Sequence, residues 1–122
     1  MKILRLTLKK KWFDMLVSGE KKEEYREIKQ YWINRLCEKH PNSVISGGDL
    51  IDKHKGTNYT LKKFDWVIFT NGYGKHKPSI AFKVEDITIS TGNTNWGAKE
   101  GERYFVIRIK EKIPTDRLIE MQ

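Results

Sequence analysis

At 122 residues the chain has the length of one domain, enough to bury about two thirds of the surface that its unfolded form exposes. A hydrophobic share of 38%, with 4 Trp, 5 Tyr and 5 Phe, supplies a packed interior and excludes a disordered chain despite 33% charged residues. The 24 Lys and Arg outnumber the 16 Asp and Glu for a net charge of +8, which suits polyanionic partners, although a lysine-rich surface also serves solubility.

In chain order, "ILRLTL" puts Leu4, Leu6 and Leu8 on one face and Arg5 and Thr7 on the other, the period of a half-buried strand. Trp12, Phe13, Leu16 and Val17 then form one stripe of a short helix, with Gly19 where its C-terminal cap belongs. The charged stretch "GEKKEEYR" follows as a strand. A second copy of the helical spacing, at Trp32, Ile33, Leu36 and Cys37, predicts a helix over about residues 29–39, stopped by His40-Pro41. Residues 41–63 mix turn formers with charge and read as a long connection, with a turn of helix near Leu50-Ile51.

"FDWVIFTN" is apolar on both parities, as in a strand covered on both sides, which points to a closed or strongly curved sheet. "SIAFKVEDITIS" carries Ile80, Phe82 and Val84 on one parity but Ile87 and Ile89 on the other, so a bulge is predicted near Glu85-Asp86. "RYFVIRIKEKI" is the last strand, and the tail "PTDRLIEMQ" has room for a helical turn. The expected fold is α+β, a single domain over residues 1–122 built as a small mixed β-barrel with two short helices at its mouth.

Gly19, Lys21, Glu24 and Arg26 fit the pattern G-x-K-x-x-E-x-R, preceded by a strand and a short amphipathic helix. In this the chain resembles the ASCH domain family of the PUA-like superfamily, and with "FDWVIFTN" and "YFVIRIKE" the resemblance extends over most of residues 1–113, leaving 41–63 unmatched. It implies a barrel of five or six strands, a cleft between barrel and helices, and binding of RNA or a modified nucleotide. The residues point the same way. Glu24 and Arg26 lie two apart on a strand and share a face, where a carboxylate can accept from the exocyclic amine of a base and a guanidinium can reach a phosphate or carbonyl. Lys21 has the opposite parity and joins them only from the turn after Gly19 or across a bulge. The lesser alternative is a purely structural role: an internal Glu24–Arg26 ion pair closing the barrel mouth, with Lys21 in solvent.

One branch of the family carries Thr where this chain has Glu24 and removes the acetyl group from acetylated cytidine, using the Lys, the Thr and a later acidic residue; other members are associated with ribonuclease activity. The resemblance thus implies an alternative, a small nucleic-acid or nucleoside hydrolase with Lys21 and Glu24 catalytic. A lysine of lowered pKa beside a carboxylate suits general acid–base work. The departure at Glu24 counts against the amidohydrolase, and the second acid stays open among Glu85, Asp86, Glu100 and Glu102.

Tyr73 and Trp96, in turns, are candidates for stacking on bases or for covering the barrel end. Lys9, Lys10 and Lys11, with Lys75 and Lys77 of a later turn, would make a funnel for phosphates if they share one mouth of the barrel. The scattered His40, His54 and His76 do not make a metal site, and Cys37, on an apolar stripe, reads as core and not as a nucleophile. No cofactor is expected. With one cysteine, no apolar run near the roughly 20 residues of a membrane span and no leader-like h-region, the expected location is cytoplasmic.

Overall fold

The computed structural model describes residues 1–40, 50–54, 57–72, 77–114 and 116–117. Leucine alternation does produce the first strand, β1 (Ile3–Leu8), with Leu4, Leu6 and Leu8 buried. Helix α1 (Lys10–Ser18) buries Phe13 and Leu16 and half-buries Trp12, whereas Val17 is 54% exposed. At about 100° per residue Val17 sits a quarter-turn beyond Leu16 on the side away from Trp12, so the expected four-residue stripe is narrower by one. Then come β2 (Glu23–Glu27), α2 (Gln30–Leu36), β3 (Cys37–His40), β4 (Leu50–His54), β5 (Thr57–Leu61), β6 (Trp66–Asn71), β7 (Ser79–Thr91), a 3-10 turn over Thr94–Trp96, and β8 (Arg103–Lys112).

Two sheets result. The larger has the order β1-β6-β7-β8-β2, with β1 parallel to β6 and every other pair antiparallel, and it curls into a half-barrel. Its interior strand β6 is apolar on both faces because both are covered: Val67 and Phe69 point into the main core with Leu4, Leu6, Ile33, Leu36 and Phe105, while Trp66 and Ile68 pack outside with Ala81 and Ile113. The parity switch of β7 is a pair of register shifts against β8, between Phe82 and Val84 and between Val84 and Asp86. That slip lets Ile80, Phe82 and Ile87 join one core from a single long strand.

Two expectations about the middle of the chain are corrected. The second helix ends at Leu36, and Cys37 (φ −129°, ψ 153°) already opens β3. Leu50 and Ile51 belong to β4 and not to a helical turn; the 41–63 connection holds two strands, which with β3 form a second sheet of order β3-β5-β4. Pairing of Cys37 with Leu61 and of Leu50 with Thr60 decides both outcomes, and no local period announces such contacts. Residues 41–49, and most of the predicted C-terminal turn, lie outside the described residues. Among the described residues no helix is long and apolar enough to cross a membrane.

A half-barrel leaves two edges, here β1 and β2. The free edge of β1 is met by side chains: the Arg35 guanidinium donates to the Arg5 carbonyl at 2.9 Å and the Arg26 guanidinium to the Thr7 carbonyl at 3.3 Å. Arginines thus stand where a further strand would otherwise pair. The seam between β1 and β2, flanked by α1, α2 and the turn at 94–96, is where the cleft opens.

Candidate binding cleft

The motif acquires its shape at the end of α1. Gly19 takes a left-handed φ of 85° and donates its N–H to Leu16 O at 3.2 Å, and two residues on, Lys21 N–H donates to Met15 O at 3.0 Å. Lys21 therefore precedes β2 and is freed from strand parity, so its side chain turns inward. Its Nζ lies 2.8 Å from Trp96 O and 3.0 Å from Glu24 Oε1, and 4.8 Å and 5.3 Å from the ring centres of Tyr25 and Trp12. The lysine is wholly buried, which corrects the reading that left it in solvent. Burial pulls its pKa below the ordinary lysine value, with the Glu24 carboxylate opposing.

Glu24 is shared three ways. Its Oε1 accepts from Tyr25 N–H at 3.1 Å as well as from Lys21, and its Oε2 faces Arg26 Nη1 at 2.9 Å. Arg26 in turn donates to Tyr25 O at 2.8 Å, reaches Thr7 O on the far edge, and lies 5.1 Å from the Trp32 ring centre. One carboxylate thus holds one cation beneath the wall and a second at its surface, and the second spans the barrel seam. On the other parity, Tyr25 OH donates to Glu23 Oε1 and accepts from Asn93 N–H, both at 2.8 Å, which fastens the 92–102 loop to β2. Burial raises the Tyr25 pKa, so this phenol stays a donor.

Above Glu24 and Arg26 lies a cleft of about 1010 Å³. Trp12, Tyr31, Trp32, Trp96 and Tyr104 supply aromatic surface, and the basic residues Arg5, Lys9, Arg26, Lys29, Arg35 and Lys99 outnumber the acidic Glu24, Glu27 and Glu102. It is a cationic, aromatic slot of the size that takes a small ligand.

Among the residues named from sequence, Glu24, Arg26, Trp96 and Lys9 line this cleft. Gly19 shapes the turn and Lys21 lies behind the wall; neither lines it. Lys10 pairs with Asp14, Lys11 stacks over the Trp12 ring at 4.7 Å, and Lys77 is exposed away from the cleft. Tyr73, Lys75 and His76 lie outside the described residues. Of the four candidate acids, Glu102 lines the cleft; Asp86 faces Arg108 at 3.2 Å, and Glu85 and Glu100 are exposed elsewhere.

The helical stripes make Trp12 and Trp32 core residues first and stacking surfaces second, and both do pack on the core and line the cleft; Tyr31, Arg35 and Tyr104 carry no such signal beyond the four-residue spacing of Tyr31 and Arg35, off the Ile33–Leu36 stripe, which marks a second face of α2. Cys37 is core, its thiol pushed up to about 12 by burial. Among the described residues no His, Cys, Asp or Glu cluster has the make-up to hold a metal ion.

No protein-family model, curated protein or solved structure matches this chain. The cleft and its motif residues therefore carry the functional reading.

Proposed function

We propose that this chain is a nucleotide- or RNA-binding domain of the ASCH, PUA-like type, and that the cleft over Glu24 and Arg26 is its binding site. The observation that carries the reading is the cleft itself, in which a guanidinium fixed by a buried carboxylate stands among half-buried tryptophans and surplus positive charge. Flat aromatic faces stack on bases without regard to sequence, and the basic rim attracts phosphates. The motif and the half-barrel with helices at one side support the resemblance on which the family assignment rests.

Within this reading the roles of the motif residues separate. Glu24 is largely occupied by Lys21, Tyr25 N–H and Arg26, so it acts as the group that orients Arg26. Arg26 is the contact residue, presenting planar donors to an acceptor edge or a phosphate. Lys21 neutralises Glu24 from below.

A hydrolase acting on nucleic acid or a nucleoside is the second reading, favoured by the depressed pKa of Lys21. It is the weaker one. Lys21 Nζ is held by Trp96 O and Glu24 and presents no surface to the cleft. The experiment is a titration of labelled single-stranded RNA by fluorescence anisotropy at rising salt, with mass spectrometry of RNA and of acetylated cytidine after incubation. The binding reading expects salt-sensitive association and no product; product formation that Lys21→Ala abolishes would establish the hydrolase instead.

A further inference from the structure

Helix α2 buries Ile33 and Leu36 and turns a different face to the cleft rim. On that face Tyr31 is 58% exposed, unusual for a large aromatic side chain. Its ring meets Trp32 edge-on, with centroids 4.8 Å apart and planes at 82°, so Trp32 does not cover it as a stacked ring would. The Arg35 guanidinium lies 5.1 Å from the Trp32 centre and 5.9 Å from that of Tyr31, fixed there by its bond to Arg5 O. Arg26 approaches Trp32 at 5.1 Å from the floor of the cleft. The Trp32 indole is thus met by two guanidinium groups and by the edge of the exposed phenol. Lys29 at the start of the same helix adds charge at the rim.

We infer that Tyr31 and Arg35, at the outer rim of the cleft, form a second nucleotide position beside the one over Glu24 and Arg26, so that the ligand is a single-stranded polynucleotide that places one residue over the motif and lays the next across α2. This rests on the nucleotide-binding reading of the cleft and goes beyond it by naming the polymer as the ligand class. An open aromatic face takes a base, and a guanidinium beside it takes the phosphate that joins two nucleotides. The cationic excess along the rim complements the repeating charge of a polymer, and a neutral nucleoside would use none of it.

The test compares a mixed-sequence single-stranded RNA oligonucleotide with the four nucleoside monophosphates, using wild type, Tyr31→Ala and Tyr31→Phe. Tyr31 is exposed and outside the core, so both variants keep the fold, which circular dichroism verifies. Tyr31→Ala is expected to weaken the oligonucleotide about ten-fold, the scale of one lost stacked base. The loss should be larger for the oligonucleotide, which spans both positions, than for the monophosphates, which fill one, and Tyr31→Phe should restore the oligonucleotide; equal losses for both ligands would overturn the second position. Oligonucleotide binding that Tyr31→Ala does not change would overturn the second position while leaving the cleft reading intact. Equal losses for Ala and Phe would overturn it too, since a phenol hydroxyl and not a ring face would then be in use. Failure of wild type to bind any of these probes at low salt would overturn both readings, and tighter binding of polyglutamate than of RNA would assign the rim to an acidic protein.

Discussion

Lys21 Nζ lies 3.0 Å from Glu24 Oε1, and the two side chains are 0% and 6% exposed, so the charged heart of the motif is an interior ion pair with Arg26 as its outlet. Removing one partner of such a set strands the others in low dielectric, at a cost of roughly 3 to 5 kcal/mol. Glu24→Ala leaves Lys21 and Arg26 without their common carboxylate and should fall in that range. Lys21→Met removes the buried charge itself and leaves Glu24 to Arg26, so its cost should be smaller by about 2 kcal/mol. Urea denaturation of the two variants checks the order.

A pH effect belongs to Cys37. Burial raises its thiol to about 12, against Lys62 nearby, while the unfolded chain ionises near 9.0. Between those values the unfolded state releases a proton that the folded state keeps, so the stability contributed by the neutral thiol is present below about pH 9 and is lost as pH rises toward 12. Lys21, whose pKa is lowered, acts in the opposite sense but is common to wild type and Cys37→Ala. The stability of wild type relative to Cys37→Ala should therefore decline with pH across this window, read from urea midpoints.

Two glycines separate backbone strain from steric conflict. A Cβ on Gly19 would meet nothing within 4 Å, so Gly19→Ala pays only for its left-handed φ of 85°, roughly 1 to 2 kcal/mol. A Cβ on Gly92 would stand 2.6 Å from the Tyr25 ring and 2.7 Å from Ala98 Cβ. Gly92→Ala must push the 92–102 loop off β2, and with it the Trp96 carbonyl that holds Lys21. Gly92→Ala is expected to raise amide hydrogen exchange throughout that loop, and Gly19→Ala is not.

Lys29 tests the electrostatic part of the proposed function without touching the motif, since it is 56% exposed and faces Glu27 only at 3.6 Å. If it meets a phosphate of a bound strand, Lys29→Ala should reduce the salt slope of RNA binding by about 0.7. An unchanged slope would place the strand elsewhere on the rim.

Much of this arrangement was legible because it is local. Leu4, Leu6 and Leu8 alternate, Gly19 ends a helix, and the parity switch after Val84 marks a bulge, each within one element. Glu24 and Arg26 sharing a face followed from strand geometry alone. The burial of Lys21 was not legible, because one of its compensating groups is a backbone carbonyl 75 residues away and two others are ring faces. The second sheet was hidden for a similar reason: β5 pairs with β3 across a stretch whose composition reads as loop. Tyr31 and Arg35 carry a weaker signal, a second face on a helix that the buried Ile33–Leu36 stripe already accounts for.

The central claim, that the cleft over Glu24 and Arg26 binds nucleic acid, is tested most directly by the four indole N–H signals in a proton–nitrogen NMR titration with single-stranded RNA. Trp12, Trp32 and Trp96 line the cleft, whereas Trp66 is 4% exposed in a separate cluster with Ile68, Ala81 and Ile113 and serves as the internal control. The account predicts that the indole signals of Trp12, Trp32 and Trp96 shift saturably with RNA while that of Trp66 stays in place. Saturable binding that moves none of the three, or that moves Trp66 as far as the others, would contradict it.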